Sequence, residues 1–319
     1  MALSDYIVQN EKDTRSGFGA GILALGRQNP NIVALCADLV GSLKLDDFIK
    51  EFPERFVQCG ISEANMMGMA AGMTIGGKIP FACSFANFVT GRVYDQVRQS
   101  IAYSGKNVKI AASHAGLTLG EDGATHQILE DIGLMQMLPG MVVINPCDYN
   151  QTLAATIAVG EYEGPVYLRF GRPKWPNFTP IDTPFEIGKA VVMNEGNDVS
   201  IFATGHLVWK AIEAAKLLEG EGISVALINI HTIKPIDREA VIASVRQTGC
   251  AVVCEEHNYI GGLGSTIASL LGREHPCPLE QVAVMDSFGE SGTPEKLLIK
   301  YGLDTPHIVA AAKKVLTRK

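Results

Sequence analysis

Short apolar runs alternate with longer helical segments along the first half of the chain, and this alternation restricts the fold more than any other feature. Short, mostly apolar runs of this length predict strands that are buried on both faces. They lie at residues 31–37, 56–60, 79–84, 108–113, 141–145 and 166–170, with predicted helices at 15–27, 92–103, 128–138 and 149–159. Buried strands separated by helices are typical of a parallel sheet. We therefore predict an α/β fold.

A proline-rich segment interrupts the alternation near the middle of the chain. Residues 172–184 contain Pro173, Pro176, Pro180 and Pro184, and this density is typical of a linker. Beyond it the alternation resumes, with predicted strands at 199–204, 224–230, 251–255 and 281–285 and helices at 207–219, 238–246 and 266–271. We predict two domains, residues 1–185 and 186–319, each a mostly parallel sheet flanked by helices.

The composition argues against several classes of function. The formal net charge is -7, and no basic run could follow a nucleic-acid backbone. No apolar run approaches the roughly 18 residues that span a bilayer, and the first residues lack the pattern of an export signal. The seven cysteines form no C-x-x-C pair, which favours reduced thiols over disulfides or zinc. We expect a cytoplasmic protein that binds neither nucleic acid nor membrane.

One carboxylate begins a helix that is otherwise apolar. Glu63 follows Ser62, and every residue from 66 to 75 is Met, Gly, Ala, Ile or Thr. We expect this helix to be buried on all sides, with Glu63 facing a dry interior. Glu63 has two interpretations. It is either a first-turn acid that complements the helix dipole beside a Ser62 cap, or an acid–base group that exchanges a proton with a partner.

Two further stretches carry candidate ligand-binding groups. Phe85 and Phe88 are three residues apart, so a helical turn would place them on one aromatic surface near a strand end, where ligands gather in parallel sheets. They could stack on a flat ring or be ordinary core residues. The glycine-rich loop 114–126 joins His114 to His126 through acids and threonines. Such a loop is suited to binding a polyol.

Phosphate binding is indicated only if several donors converge. Singly, each candidate donor is more often a solvated or structural residue. The candidates are Arg15, Ser42, His114 and Arg172. We expect no metal site in this chain, because eleven residues separate the two loop histidines and neither H-E-x-x-H nor paired thiols occur. The glycines at 261, 262 and 264 do not follow the G-x-G-x-x-G spacing of a dinucleotide site.

Three motifs resemble the C-terminal half of transketolase. They are G-I-S-E-A-N-M at 60–66, S-F-A-N-F at 84–88 and G-E-D-G-A-T-H-Q at 120–127, of which the last is highly specific. The resemblance runs the whole length, from T-R at 14–15 to D-S-F-G-E-S-G at 286–292. It implies a pyrimidine-binding domain for thiamine diphosphate, a transketolase-type C-terminal domain, and transfer of a two-carbon ketol unit from a ketose phosphate to an aldose phosphate.

The family's N-terminal domain has no counterpart in this sequence. That domain carries G-D-G and a later Asn, which hold a Mg²⁺ or Ca²⁺ ion and the diphosphate, and no G-D-G occurs here. Because only fourteen residues precede Arg15, we expect one subunit of a split transketolase. The resemblance implies a separate N-terminal subunit as partner, a heterotetramer with two copies of each chain, and no activity in this chain alone.

Carried over by position, the motifs imply roles for individual residues. Glu63 matches the glutamate that hydrogen-bonds a ring nitrogen of the thiamine aminopyrimidine. Phe85 and Phe88 match aromatic residues that line and stack on this ring, and Asp38 matches an aspartate near the cofactor. Glu63 and His126 are the expected catalytic residues. The residues that match the family's contacts to sugar hydroxyls are Asp122 and His126, and those that match its phosphate contacts are Arg15, Ser42, His114 and Arg172.

The sequence departs from the family pattern at two positions, and two other functions stay open. Gly91 and Ala115 stand where the family often has Tyr and Asp, so the ring pocket is either looser or completed by Tyr94. One alternative is a split enzyme of the same group that acts on an apulose or sulfosugar phosphate. The other is the beta chain of a 2-oxoacid dehydrogenase first component. A decarboxylase of small oxoacids, however, has no need of Asp122, His126 and four phosphate donors.

Overall fold

The structure of the chain is a computed structural model that describes residues 3–319. Ten of the fourteen strands in the described residues correspond to predicted runs, whereas the strands at 10–13, 174–177, 191–194 and 232–234 were not predicted. In chain order they are β1 (Asn10–Asp13), β2 (Ile32–Cys36), β3 (Phe56–Gln58), β4 (Ile79–Phe85), β5 (Lys109–Ser113), β6 (Val142–Ile144), β7 (Val166–Arg169), β8 (Lys174–Asn177), β9 (Val191–Asn194), β10 (Val199–Ala203), β11 (Val225–Asn229), β12 (Thr232–Lys234), β13 (Ala251–Asn258) and β14 (Leu279–Val284).

The helices connect these strands. They are α1 (Thr14–Gln28), α2 (Asp46–Glu51), α3 (Glu63–Ile75), α4 (Ala86–Val89), α5 (Tyr94–Gln96), α6 (Asp131–Gln136), α7 (Tyr149–Glu161), α8 (Leu207–Gly220), α9 (Arg238–Thr248), α10 (Leu263–Glu274), α11 (Pro294–Lys300) and α12 (Thr305–Leu316). Helix α5 continues as a π-helix over Val97–Tyr103. Within residues 3–319, no helix combines the length and apolar character needed to cross a bilayer.

A seven-stranded sheet forms the first half of the chain. Its order is β12-β6-β7-β5-β4-β2-β3, and every neighbouring pair is parallel except β12 with β6. The predicted parallel sheet is therefore confirmed. Strand β12 lies beyond residue 186, so the second half of the chain contributes an edge strand to the first sheet. Strands β2, β4 and β5 are adjacent and parallel, so their carboxyl ends meet at one edge.

The second half contains a five-stranded sheet with the order β14-β13-β10-β11-β9. Only its edge strand β9 runs antiparallel to its neighbour. One buried apolar cluster contains Ile132 and Tyr167 from the first half together with Ile228 and Val253 from the second. The two sheets therefore share a core. Cys250 and Cys254 are buried and free, as expected of core residues.

The proline-rich segment is more ordered than a linker. Strand β8, within residues 172–184, pairs antiparallel with β1 near the N-terminus. Trp175 in β8 stacks on His206 with ring centroids 4.7 Å apart and donates to the His206 carbonyl at 3.0 Å. Arg15 follows β1, and Arg172 precedes β8. Because these two strands pair antiparallel, the ribbon places the two arginines side by side.

Helix α3 is not buried on all sides, so that prediction is wrong for the chain by itself. Ala64, Gly68, Gly72 and Ile75 are exposed and lie along one face, and the exposed fraction of Ile75 is 78%. A Cβ added to either glycine would meet no atom within 4 Å. The opposite face, with Met66, is buried against the sheet. Helix α3 thus has two apolar faces. One packs against the sheet, and the other is exposed in this chain.

Two helices begin later than their apolar patterns predict. Helix α6 starts at Asp131 and not near residue 128, because the carbonyls of Ile128 and Leu129 accept hydrogen bonds from Gly116 and Asn258. A helix starting at 128 would have to give up these long-range bonds. Helix α5 starts at Tyr94, which leaves Arg92 in the turn that follows α4.

Candidate active site

Three neighbouring strand ends form the floor of the site. Asp38 follows β2, Phe85 ends β4, and His114 follows β5. Asp38 and His114 each have a backbone φ of 59°, in the left-handed region that residues other than glycine rarely adopt. Backbone strain of this kind costs on the order of 1 kcal/mol and concentrates at functional sites. The backbone N–H of Asp38 donates to Gln58 Oε1 at 2.9 Å.

Glu63 is buried at the start of α3 and forms an ion pair. Arg92 Nη1 donates to Glu63 Oε1 at 2.9 Å, and the exposed fractions of the two side chains are 48% for Arg92 and 5% for Glu63. The Ser62 side chain makes no capping hydrogen bond, so the capping interpretation of this helix start loses its support. Sequence reasoning missed Arg92. Its position four residues after Phe88 is the signal that could have suggested a contact.

Four aromatic rings form one cluster beside this ion pair. The rings of Phe85 and Phe88 are stacked at 5.6 Å, and those of Phe85 and His114 at 3.8 Å. The Cζ atom of Arg92 lies 4.0 Å from the centroid of the Phe88 ring. The His126 ring meets Phe88 edge-on at 5.4 Å. Phe85 is buried and Phe88 is half-buried, so Phe88 presents more of its surface to a ligand.

His114 is held as a neutral imidazole. Burial lowers its pKa to about 3, and the nearby charges of Arg15 and Arg172 act in the same direction. Its Nδ1 lies 2.9 Å from Ser113 Oγ. A neutral ring at this place can accept or donate a hydrogen bond without adding a positive charge. His126 is half-buried, with Nδ1 3.0 Å from Thr125 Oγ1.

A cationic cleft opens beside the 114–126 loop. Arg15, Arg172 and Lys174 line it together with Thr118 and Glu121. Arg172 Nη1 donates to the Leu119 carbonyl at 2.6 Å and to Glu121 Oε2 at 2.7 Å. Asp13 also pairs with Arg15, with 3.3 Å between Asp13 Oδ1 and Arg15 Nε. Three cations thus face two acids, and the excess positive charge favours an anion.

The remaining candidates lie around this cleft. Arg15 Nη1 donates to the carbonyl of Ser42 at 3.3 Å, so Ser42 contacts the cleft arginine through its backbone. Asp122 is exposed at the tip of the loop. The hydroxyl of Tyr94 donates to the Leu134 carbonyl at 3.1 Å, which directs it toward α6. Gly91, next to Arg92, is exposed, whereas Ala115 is buried.

The second half of the chain holds the 114–126 loop in place. The backbone N–H of Thr118 donates to Glu256 Oε1 at 2.5 Å, and Gln127 Nε2 donates to the Glu290 carbonyl at 3.0 Å. Arg169 Nη2 donates to the Glu256 carbonyl at 2.9 Å, and its Nε donates to Asp131 Oδ2 at 2.7 Å. All of these residues are buried except Glu290, which is exposed. The loop conformation therefore depends on both halves of the chain.

The glycines near residue 262 have a structural use. Glu255 accepts hydrogen bonds from the backbone N–H groups of Leu263 and Gly264, each at 2.7 Å, where α10 begins. A carboxylate therefore already occupies the helix N-terminus that a dinucleotide phosphate would use. Among residues 3–319, no cluster of three or more His, Cys, Asp or Glu side chains is arranged to hold a metal ion.

Known sequence families cover almost the whole chain. The transketolase pyrimidine binding domain matches residues 10–177, and the transketolase C-terminal domain matches residues 188–308. The chain belongs to the transketolase family. A split gene transketolase, solved as an inactive beta4 tetramer, is similar to it with a TM-score of 0.91 and 50% identity, over 96% of this chain and 99% of that one.

Two relatives are transketolase subunits of comparable length. A 6-deoxy-6-sulfo-D-fructose transketolase subunit from a Clostridium species (strain MSTE9) is 43% identical over 93% of this chain and 92% of its own. One subunit of an apulose-4-phosphate transketolase from Phocaeicola vulgatus is 37% identical over 93% of this chain and 96% of its own. The resemblance seen in the motifs is therefore confirmed, together with the two-domain α/β fold.

Three residues of this transketolase chain join the site without having been predicted. Arg92 pairs with Glu63, Lys174 lines the cationic cleft, and Glu256 holds the loop through Thr118. Arg92 lies four residues after Phe88, and Lys174 lies two residues after the predicted Arg172. Glu256 is far in sequence from the predicted site residues and reaches the loop through the packing of the second sheet, which no local pattern reveals.

Proposed function

We propose that this chain supplies the cofactor-ring half and part of the substrate site of a thiamine-diphosphate-dependent transketolase. The observation that carries the proposal is the buried carboxylate of Glu63, which lies beside the Phe85–Phe88 stack and whose partner Arg92 is half-exposed. When bound, the cofactor would supply the carbanion chemistry that transfers a two-carbon ketol unit. The protein would supply position and proton exchange.

The residues fit an aminopyrimidine ring. A buried carboxylate needs a hydrogen-bond donor, and a ring nitrogen that carries a proton would provide one to Glu63. The face of Phe88 offers stacking worth about 0.5–1.5 kcal/mol beyond simple burial. In this arrangement Glu63 would hold a proton at the ring nitrogen, and Phe88, with Phe85 behind it, would fix the ring plane. Asp38 would lie near the cofactor at the neighbouring strand end.

The cationic cleft supports a sugar phosphate as substrate. Arg15, Arg172 and Lys174 would bind the anionic end of the sugar, with Ser42 and His114 beside them. Asp122 and His126, on the same loop, would hold sugar hydroxyls and orient the carbonyl. A small 2-oxoacid has no distant anion for this cleft, which disfavours the dehydrogenase alternative. We favour transfer from a ketose phosphate to an aldose phosphate, as in the pentose phosphate pathway.

A second candidate function is ketol transfer on another sugar. The relatives named for 6-deoxy-6-sulfo-D-fructose and for apulose 4-phosphate support it. A sulfonate and a phosphate are both tetrahedral anions that arginine can bind with two N–H groups. The cleft geometry suits either one. Direct comparison of the sugars as donors would separate the two functions.

The proposal includes a separate partner subunit that holds the diphosphate and its Mg²⁺ or Ca²⁺ ion. The open apolar face of α3 supports an assembly, because it leaves Ala64, Gly68, Gly72 and Ile75 exposed beside Glu63. We expect a heterotetramer with two copies of each chain. The seven free cysteines favour a cytoplasmic enzyme.

The decisive experiment is a transfer assay with xylulose 5-phosphate and ribose 5-phosphate. It would use this chain alone and then the chain mixed with its partner, thiamine diphosphate and Mg²⁺. We expect activity only in the mixture. Glu63→Gln should lower turnover by about a hundredfold or more, since proton transfer contributes this much, whereas the exposed Glu54→Gln control should not. Full turnover with Glu63→Gln would refute the role of Glu63.

A further inference from the structure

The guanidinium of Arg92 makes two contacts at once in the candidate site. It donates a hydrogen bond to the buried Glu63 carboxylate at 2.9 Å, and its Cζ atom lies 4.0 Å from the centroid of the Phe88 ring. A guanidinium is a planar cation with N–H groups along its edge. It thus presents a flat face to Phe88 and an N–H group to Glu63.

These are the same two contacts that the proposed function asks of the aminopyrimidine ring. That ring would also present a flat face to Phe88 and donate a hydrogen bond to Glu63. Two planar groups cannot lie on the same face of Phe88 and bond the same carboxylate oxygen. Arg92 and the cofactor ring therefore compete for one place.

We propose that Arg92 is a displaceable plug, which fills the aminopyrimidine place before loading and leaves it when the cofactor binds. This inference rests on the proposed function. In the unloaded chain the plug gives the buried Glu63 a counter-charge, without which the lone carboxylate would be costly to keep in the interior. On loading, the ring nitrogen takes over as donor, so Glu63 keeps a partner throughout.

The position of Arg92 is suited to movement. Its side chain is 48% exposed, and the residue lies in the turn between α4 and α5, outside both helices. A Cβ added at the preceding Gly91 would come no closer than 3.8 Å to any neighbouring atom, so the chain is loosely packed there. The Glu63 end of this ion pair is buried, but the half-exposed guanidinium can move into water once another donor replaces it at Glu63.

The test is the affinity of the assembled two-chain complex for thiamine diphosphate with Mg²⁺, measured by isothermal titration. Arg92→Met removes the charge and the N–H donors but keeps an apolar chain of similar length. We expect its Kd to be about fivefold to thirtyfold lower than that of the unchanged chain, because an ion pair and a cation–π contact no longer compete. Arg98→Met, a control at an exposed residue of the following helix, should leave the Kd unchanged.

A second measurement follows Arg92 itself and does not depend on a variant that folds. Phenylglyoxal modifies accessible guanidinium groups, and mass spectrometry locates the modified arginines. Loading the complex with thiamine diphosphate should raise the modification of Arg92 at least twofold relative to Arg98. A fall in Arg92 modification would show that it stays at the ring, and would overturn the proposal.

The outcomes separate this inference from the proposed function. Binding of thiamine diphosphate by the unchanged complex, together with poor binding by Glu63→Gln, would support the proposed function. If Arg92→Met then binds the cofactor no more tightly than the unchanged complex does, the plug is refuted while the proposed function stands. If the unchanged complex does not bind thiamine diphosphate at all, both fail. Tighter binding by Arg92→Met with an unchanged Arg98→Met supports the plug.

Discussion

Glu256 in β13 provides the most specific prediction about stability. It is buried between the two sheets, and its carboxylate accepts the backbone N–H of Thr118 at 2.5 Å. Burial raises its pKa from 4.5 to about 7, even though Arg169 and the Thr118 hydrogen bond act in the opposite direction. His206, 3.9 Å from Glu256 Oε2, adds no charge, because burial lowers its own pKa to about 3.

The sign of the effect follows from proton binding. In the unfolded chain Glu256 loses its proton near its ordinary pKa of 4.5, whereas in the folded chain it keeps the proton up to about pH 7. Between these values the folded state binds more protons, so the free energy of unfolding falls as the pH rises. A pKa difference of this size corresponds to about 3 kcal/mol once the window has been crossed.

Glu256→Gln should remove this pH dependence. The glutamine side chain does not titrate, and its amide oxygen can still accept the Thr118 N–H. Guanidinium unfolding midpoints would be measured at about pH 5, 6, 7 and 8 for the unchanged chain, for Glu256→Gln and for the exposed control Glu161→Gln. The buried His114, His206 and His231, whose pKa values burial lowers to about 3, 3 and 4, add a slope of opposite sign to every variant. We therefore expect the free energy of unfolding of the unchanged chain, relative to that of Glu256→Gln, to fall by about 2–3 kcal/mol across this range, and the control to follow the unchanged chain.

Two results would contradict this reasoning. One is a free-energy difference between the unchanged chain and Glu256→Gln that stays constant from about pH 5 to pH 8. The other is a Glu256→Gln chain that is less stable than the unchanged chain at pH 8, where the carboxylate is charged. Glu255, whose pKa burial also raises, is present in every variant and contributes the same slope to all of them.

Three further predictions concern the substrate cleft, the buried ion pair and the open helix face. Arg172→Ala should raise the KM for phosphorylated sugars about tenfold to a hundredfold and leave the KM for an unphosphorylated aldehyde unchanged; equal effects on both would remove the phosphate role. Asp131→Asn should cost about 3–5 kcal/mol in denaturant unfolding, because it leaves Arg169 buried without its counter-charge. A loss under about 1 kcal/mol would contradict the role of Asp131 as the counter-charge of Arg169. Gly68→Arg should leave the melting temperature of the chain nearly unchanged but prevent complex formation in size-exclusion chromatography; a complex of normal size would exclude that face from the interface.

Most of the secondary structure was predictable because it depends on local pattern. The runs that predict β2, β4, β5 and β7 are mostly apolar, with Lys109 and Arg169 as the charged exceptions. The failures have long-range causes. Helix α6 begins late because the carbonyls of Ile128 and Leu129 accept hydrogen bonds from distant backbone N–H groups. Helix α3 is exposed on one side because no other segment of this chain, as far as the structure describes it, packs against that face.

The candidate site was predictable only in part. Glu63 and Phe88 belong to motifs that the sequence shows, and the structure places them in one site, where Arg92 contacts both. Lys174 stands two residues after the predicted Arg172, whereas Glu256 gave no local signal. Lys174 reaches the cleft because β8 pairs with β1, and Glu256 reaches the loop across a separation of 138 residues.

The sequence by itself determined the class of fold, the strand ends that carry polar groups, and the family. Strand and helix patterns act over a few residues, and a parallel sheet then gathers the carboxyl ends of its strands at one edge whatever else the chain does. Only the tertiary structure decided which charges meet: Arg92 with Glu63, Arg172 with Glu121, and Glu256 with the Thr118 N–H. Such pairings depend on burial and on distances between distant segments, and these exist only after the chain has folded.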